Sequence, residues 1–290
     1  YMHTGHYEEA KTLAGEVVNS GVYSLVQVGT SRDFDKVFGY DLTTSTEEVF
    51  YIKTSRTDGK TWDYLSYTSH PKYEIAPGKL MLNGNGYFTH YTDLRNHVIS
   101  RWDKNDLRYG LNVGFYIFGA DAYGEHTCLL TKYWDPNAQG NGANVSIPLV
   151  RYPDAMLIFA EATARVAGGP TEESMEMLNQ LRRRAYGRDP KVPDMELDYK
   201  LSDYKTMDEF IDLLIKEETY EHFNEGKHWD FIVRLGKAQE LVGKYYNVED
   251  GAWTDIQERH YLWKIPDSEF NYNKAMNQST DQNPGYTSAE

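Results

Sequence analysis

The chain has 290 residues, of which 40% are hydrophobic, and a formal net charge of −14. That is enough apolar material for one large domain or two small ones, and the negative charge argues against nucleic acid or an anionic membrane surface as a partner. Its single cysteine, Cys128, excludes an intramolecular disulfide framework, and no run of about 18 apolar residues is present to span a membrane.

The first predicted element is a helix. Tyr7, Ala10, Leu13, Ala14, Val17 and Val18 fall at helical spacing, and Gly21, after Asn19-Ser20, stops it. Gly5-His6-Tyr7-Glu8-Glu9-Ala10 resembles the turn and second-helix start of a tetratricopeptide unit. Such an apolar stripe must be buried, and its partner is expected upstream of Tyr1. The chain starts at Tyr rather than Met and shows neither a signal peptide nor a lipobox. It is therefore read as a piece whose N-terminal segment is missing; an ordinary helical hairpin beginning here is the alternative.

Residues 22–147 differ in kind, being rich in Gly, Asn, Asp, Thr and Tyr with few periodic apolar runs. Val49-Phe50-Tyr51-Ile52 predicts a short strand, and Tyr87–Tyr91 and Phe115–Phe118 two others. Long irregular segments inside a compact domain usually carry function. Between Tyr51 and Tyr109 lie Trp62, Tyr64, Tyr67, Tyr73, Tyr87, Phe88, Tyr91 and Trp102, with Asp63, Asn83, Asn85 and His90 alongside. An aromatic face on a polar loop can stack on the C–H face of a sugar ring while a neighbouring Asn or Asp bonds its hydroxyls. The competing reading is that these rings fill the core beneath the loops.

From Leu149 the pattern is helical again. Met156, Leu157, Phe159, Ala160 and Ala164 share a face, Pro153 sits in the first turn, where its missing N–H costs nothing, and Gly168-Gly169-Pro170 ends the helix. Thr171 is the expected N-cap of the next helix, which carries Met175, Leu178 and Leu181 into Arg182-Arg183-Arg184. A third helix starts near Thr206, with Phe210, Leu213, Leu214 and Phe223 as anchors, and breaks near Gly226. Trp229, Phe231, Ile232 and Leu235 begin a fourth, and Leu262–Ile265 reads as a short extended piece ended by Pro266.

The candidate chemistry is sparse. Glu217, Glu221 and Glu225, spaced by four, lie along one helix face and need partners if buried; Lys227 and Arg234 are the nearest candidates. Nothing proposes the two opposed carboxyls of a glycosidase. Glu218 and His222 at i, i+4 could hold a metal, but neither an HExxH motif nor a third ligand is evident. The Arg182–Arg184 run serves the helix dipole and acidic partners rather than a phosphate, Cys128 reads as a small core residue, and Gly84-x-Gly86 is too short to signal a phosphate loop. The expectation is a protein without catalytic activity, metal or cofactor.

Five segments in order carry a resemblance: LVRYPDAMLIFAEA at Leu149–Ala162, Leu178–Arg182 with Arg184-Ala185, Glu217–Gly236, LWKIP at Leu262–Pro266, and QNPGY at Gln282–Tyr286. Together they resemble the C-terminal part of the SusD/RagB family, nutrient-binding lipoproteins on the outer membrane of Bacteroidetes-type bacteria. The resemblance implies a mainly α fold, a tetratricopeptide-type helical scaffold with long irregular loops and a few short strands. It implies a single-domain fragment over residues 1–290: the end of a repeat at 1–21, a ligand-binding region at 22–147 and a helical scaffold at 148–290.

The same resemblance implies a cell-surface glycan-binding protein that captures an oligosaccharide and delivers it to a SusC-type TonB-dependent transporter. Its lipid anchor would be an N-terminal Cys absent from this chain. The expected ligand residues are Trp62, Tyr64, Tyr67, Tyr87 and Tyr91 for stacking, with Asn83 and Asn85 for hydrogen bonding. A relative that binds peptides or other nutrients, and a tetratricopeptide-type protein scaffold, are the alternatives.

Overall fold

The computed structural model describes residues 1–59, 61, 74–76, 79–80, 92–114, 127–138, 142–247 and 251–286. The expected strands at Tyr87–Tyr91 and Phe115–Phe118 lie outside these residues. The chain divides into two compact units, Tyr1–Gly226 and Lys227–Glu290.

In the first unit the helices are α1 (Tyr7–Asn19), α2 (Asp35–Phe38), α3 (His97–Arg101), α4 (Leu107–Asn112), α5 (Tyr152–Ala167), α6 (Glu172–Ala185) and α7 (Met207–Glu221). The strands are short: β1 (Glu48–Ile52), β2 (Glu74–Ala76), β3 (Lys79–Leu80), β4 (Thr92–Asp93), β5 (Val113–Gly114), β6 (Thr127–Leu130) and β7 (Ile147–Arg151). β1, expected from the Val49–Ile52 run, pairs antiparallel with β7, Glu48 opposite Arg151 and Ile52 opposite Ile147.

Local chemistry sets the helix ends. α5 starts with Asp154 accepting from the Arg151 N–H at 2.7 Å, holds Pro153 in its first turn, and stops at Gly168, whose φ of 75° is left-handed. Thr171 caps α6, its hydroxyl accepting from the Ser174 N–H at 3.1 Å. Thr206 caps α7 in the same way, and Glu209 reaches back to the Thr206 N–H at 2.9 Å.

α5 is the central helix. Met156, Ala160, Ala162 and Ala164 are fully buried, and α1, α6 and α7 all pack on it. Within this chain it is α1 that finds its partner in α5. Its buried face, Ala10, Ala14 and Gly15, meets α5, some 140 residues later in the chain, and a Cβ built at Gly15 would lie 3.0 Å from the Phe159 ring. Two small residues and a glycine let the two backbones approach closely; Leu13, expected in the stripe, is 47% exposed.

The irregular region has cores of its own. Val26, Val28, Phe34, Val37, Phe38, Leu111, Tyr133, Trp134 and Val145 form one cluster. Ile99, Trp102, Tyr109, Val113 and Cys128 form another. Trp102, one of the loop aromatics considered above, stacks on Tyr220 with ring centroids 4.6 Å apart. It is a core residue, as is the 7% exposed Tyr51, and Cys128 is fully buried as expected.

The second unit contains α8 (His228–Arg234), α9 (Ala238–Val242), the antiparallel pair β8 (Lys244–Asn247) and β9 (Ala252–Asp255), α10 (Asp267–Tyr272) and α11 (Gln278–Asp281). Of the four apolar residues expected to begin the fourth helix, only Ile232 is buried; Trp229, Phe231 and Leu235 are half-buried. The expected extended piece at Leu262–Ile265 joins no strand ladder among the described residues. Gln282 takes the place of a neighbouring strand: its Oε1 accepts from the Ile265 N–H at 2.8 Å and its Nε2 donates to the Ile265 carbonyl at 3.0 Å. The Tyr286 hydroxyl donates to the Arg259 carbonyl at 2.8 Å. The QNPGY segment thus fastens the LWKIP segment.

Candidate functional site

The acidic face of α7 leads into the interior. Four cations, Arg108, Lys132, Arg151 and Arg184, meet five carboxylates there, Glu47, Asp106, Glu217, Glu221 and Glu225, each with a side chain no more than 3% exposed. Arg151, at the N-cap of α5, donates five hydrogen bonds. Its Nη1 reaches Glu47 Oε2 at 3.0 Å and Glu221 Oε1 at 2.9 Å. Its Nε and Nη2 clasp Glu225 at 2.9 and 2.8 Å, and Nη2 also reaches the Glu221 carbonyl at 3.0 Å.

Arg108, on α4, clasps Asp106 and donates to Glu217 Oε2 at 3.2 Å and Glu221 Oε2 at 3.3 Å. Arg184, in the last turn of α6, bridges Glu47 Oε1 at 2.9 Å and Glu221. Lys132 donates to the Phe223 carbonyl at 2.9 Å and to Glu225. The Tyr199 hydroxyl donates to Glu217 Oε1 at 2.6 Å.

The electrostatics follow from these contacts. Burial pushes the Glu221 carboxyl up, but Arg184, Arg151 and Arg108 outweigh it and hold the group well below the usual carboxylate range. Burial works against the charge of Arg151, but Glu225, Glu221 and Glu47 keep its affinity for the proton well above normal. Lys132 is the exception: burial dominates the pull of Glu225, and its pKa falls to about 8.

Every carboxylate here is closed from solvent and committed to a cation, so the cluster offers a substrate no acid, base or nucleophile. It ties α4, α5, α6, α7, Lys132 and the lead-in to β1 into one body. These glutamates are tied carboxylates, as expected of buried acids, held by arginines and, for Glu225, by Lys132 as well. These partners come from segments far along the chain, 37 to 113 positions away. The Arg182–Arg184 run also has acidic partners, Arg183 clasping Glu176 and Asp198.

His222 sits beside this cluster, its Nδ1 3.5 Å from Glu218 Oε1 and its Nε2 3.4 Å from Asp154 Oδ1. Burial opposes protonation, but Asp154 and Glu218 more than compensate, and the imidazole pKa is raised. Among the described residues no group of three or more His, Cys, Asp and Glu could hold a metal ion.

The expected ligand residues, Trp62, Tyr64, Tyr67, Tyr87, Tyr91, Asn83 and Asn85, lie outside the described residues. The chain that leads to them is described. After β1, residues Lys53 to Thr57 wall an open cleft of about 560 Å³, completed by Asp41, Leu42, Thr43 and Asn144. Asp41 adopts a left-handed φ of 54° and its N–H donates to the Asn144 carbonyl at 2.9 Å. The Asn144 N–H donates to Asp135 Oδ2 at 2.7 Å and its Nδ2 to Asp41 Oδ1. Arg56 spans the cleft wall, with Nη2 2.7 Å from Asp135 Oδ2 and Nη1 2.8 Å from the Asn137 carbonyl. The sequence reading missed this cleft. Its residues are ordinary loop types, and the one local signal is the density of Asp, Thr and Ser.

Comparison with known proteins agrees with the architecture. The profile of the SusD family matches residues 40–286. The SusD-like protein P38 of Formosa agariphila is 24% identical over 266 residues, covering 84% of this chain and 51% of that protein. A SusD homolog from Bacteroides thetaiotaomicron superposes with a TM-score of 0.70 at 17% identity, over 97% of this chain and 59% of the other. Surface glycan-binding protein A of the same species, in complex with laminarihexaose, superposes with a TM-score of 0.66 at 18% identity, over 97% and 61%. The chain thus spans about half the length of the curated relative, 51% of it. The likeness to the solved structures is one of fold: mainly helical, with small sheets.

Proposed function

This chain belongs to the SusD family, and on that footing we propose that it is part of a cell-surface protein that captures an oligosaccharide without cleaving it. The observation that carries this reading is the family match over residues 40–286, joined to the fold shared with a surface glycan-binding protein that holds laminarihexaose. The commitment of Glu217, Glu221 and Glu225 to buried cations supports binding without hydrolysis, because it leaves those acids unable to protonate a glycosidic oxygen. Delivery to a SusC-type TonB-dependent transporter, and an outer-membrane location secured by a lipid anchor outside this chain, complete the proposal.

In this reading residues 22–147 shape the ligand surface and residues 148–290 form the scaffold. Trp62, Tyr64, Tyr67, Tyr87 and Tyr91 stack on the glycan, and Asn83 and Asn85 bond its hydroxyls. Each Tyr→Ala or Trp→Ala change is expected to cost about 0.5–1.5 kcal/mol of binding, a loss of roughly two- to tenfold in affinity, with an unchanged melting temperature. Calorimetry with a glycan identified on an array, run beside thermal melts, checks this. Normal binding by all five variants would move the site elsewhere, and shortening of the bound glycan, abolished by changing one carboxylate, would refute the absence of catalysis.

A further inference from the structure

We infer that the outward face of the β1–β7 ribbon, built from Phe50, Ile52, Leu149 and Val150, is a docking surface for the part of the full-length polypeptide that lies outside this chain, which covers it with an uncharged, apolar face. The inference goes beyond ligand capture and does not depend on which ligand is bound.

The composition of the two strands is the first argument. A strand with one face in water alternates apolar with polar residues, whereas a strand covered on both faces reads as a near-continuous apolar run. β1 contains Val49-Phe50-Tyr51-Ile52 and β7 contains Ile147-Pro148-Leu149-Val150, with no charged side chain in either run. Within this chain one face is covered: Tyr51 and Pro148, opposite each other in the ladder, are buried. The other face is not. Phe50 is 60% exposed, Ile52 49%, Leu149 41% and Val150 38%.

Ladder geometry makes these four side chains one patch. Phe50 and Ile52 flank Tyr51 and share the face opposite to it. Phe50 lies across from Val150, where facing side chains touch. The register slips once in each strand, at Val49 and at Leu149, and the slip in β7 leaves the consecutive Leu149 and Val150 both outside. The charges at the rim are matched to each other, Lys53 just past one end of β1 pairing with Glu48 at the other. A contact with this patch is therefore made by apolar surface rather than by charge.

Chain length selects the occupant. The chain spans 51% of its curated relative, and 61% and 59% of the two solved structures described above. A large part of each of those folds thus has no counterpart here and must pack on what is present. A second copy is the poorer occupant, because each copy carries a net charge of −14 and the two repel. A transient partner fits less well too, since permanent interfaces are the more hydrophobic ones and the patch is apolar throughout.

The test is photocrosslinking in the purified full-length protein with Phe50→p-benzoylphenylalanine and, separately, Ile52→p-benzoylphenylalanine, the crosslinked peptides being located by mass spectrometry. Crosslinks are expected within one molecule, from position 50 or 52 to peptides outside residues 1–290. Val150→Cys, a smaller change that keeps the test valid if the bulky side chains are not tolerated, is expected to react with a maleimide about a hundredfold or more slower in the native full-length protein than in urea, as for a site reached only by local opening. Crosslinks confined to residues 1–290, crosslinks between two molecules, no crosslink in the folded variants, or a thiol that reacts at nearly its denatured rate would each overturn the proposal.

Discussion

Replacing Arg151 by methionine keeps most of the side-chain volume and removes one of four buried cations. The guanidinium is completely buried and makes five hydrogen bonds to Glu47, Glu221 and Glu225. Without it three cations face five carboxylates. Glu47 and Glu221 keep Arg184, and Glu221 keeps Arg108 as well, but Glu225 loses bonds to both of its oxygens and retains Lys132. Breaking a buried pair by deleting one partner costs about 3–5 kcal/mol, and complete burial removes any discount for solvent screening. At roughly 2–4 °C per kcal/mol for chains of this order of size, the melting temperature should fall by about 6–20 °C.

Two features separate this mechanism from simple loss of packing. Adding Glu225→Gln to Arg151→Met removes the carboxylate most dependent on Arg151, so the double variant should be more stable than the sum of the single effects predicts. The deficit should also shrink as pH falls. In the wild type Glu221 is held below its ordinary pKa, so its contribution is present above about pH 4.5 and lost as pH falls through the lower native value. Without Arg151 that depression is smaller, and protonation relieves the surplus charge. Thermal and urea melts of the four proteins of the cycle between about pH 3 and pH 7, spanning the range below the ordinary glutamate pKa, measure both effects. A single variant within about 1 kcal/mol of wild type, or strictly additive effects, would refute the account, since the exposed Lys36–Asp33 contact at 3.7 Å is already the kind expected to be worth about that or less.

Lys132, with a native pKa of about 8, has lost between about pH 8 and 10.5 a proton that the unfolded chain still holds, so stability should rise with pH across that window by on the order of 1 kcal/mol per unit. Lys132→Met should abolish the rise, as urea unfolding at pH 7.5, 8.5 and 9.5 would show; Tyr51 and Tyr199, raised above the ordinary tyrosine range, act oppositely above about pH 10 in both proteins. His222 has the reverse sign. Its raised pKa gives stability that is complete below about pH 6.5 and lost as pH climbs through the native value, so His222→Gln should flatten that loss in denaturant titrations from pH 6 to 8. Gly15→Val should loosen α1 from α5 at a cost of about 1–3 kcal/mol, because even a Cβ there lies 3.0 Å from Phe159. Gly15→Ala should cost less, offset by up to about 1 kcal/mol of helix propensity; melts that rank valine as stable as alanine would contradict this.

Among the described residues, the features legible in the sequence are those whose cause is local. Thr171, Thr206, Pro153 and Gly168 mark helix ends because a cap or a left-handed turn is satisfied within four residues. Val49–Ile52 reads as a strand by its composition, and the order of five family segments identifies a mainly helical fold. Local pattern also shows that the α7 glutamates need cations and that α1 must bury a face. It does not say against what. A 3.6-residue period reports that a stripe is covered, and the helix that covers it within this chain, α5, lies some 140 residues later. Likewise Trp102 reads in the sequence as one more aromatic on irregular chain, yet it is a core residue because Tyr220, 118 positions later, stacks on it.

What tertiary structure alone decided are the pairings between distant segments. Glu47 and Arg151 are 104 positions apart, and Arg108 and Glu217 are 109 apart. The polar cleft depends on a contact across 103 positions, between Asn144 and Asp41. A carboxylate, a threonine hydroxyl or an amide oxygen has the same local appearance whether it ends paired in the interior, wet on the surface or unpartnered at a cleft. Only the folded chain assigns its neighbours, and the neighbours set its charge state and what it can bind.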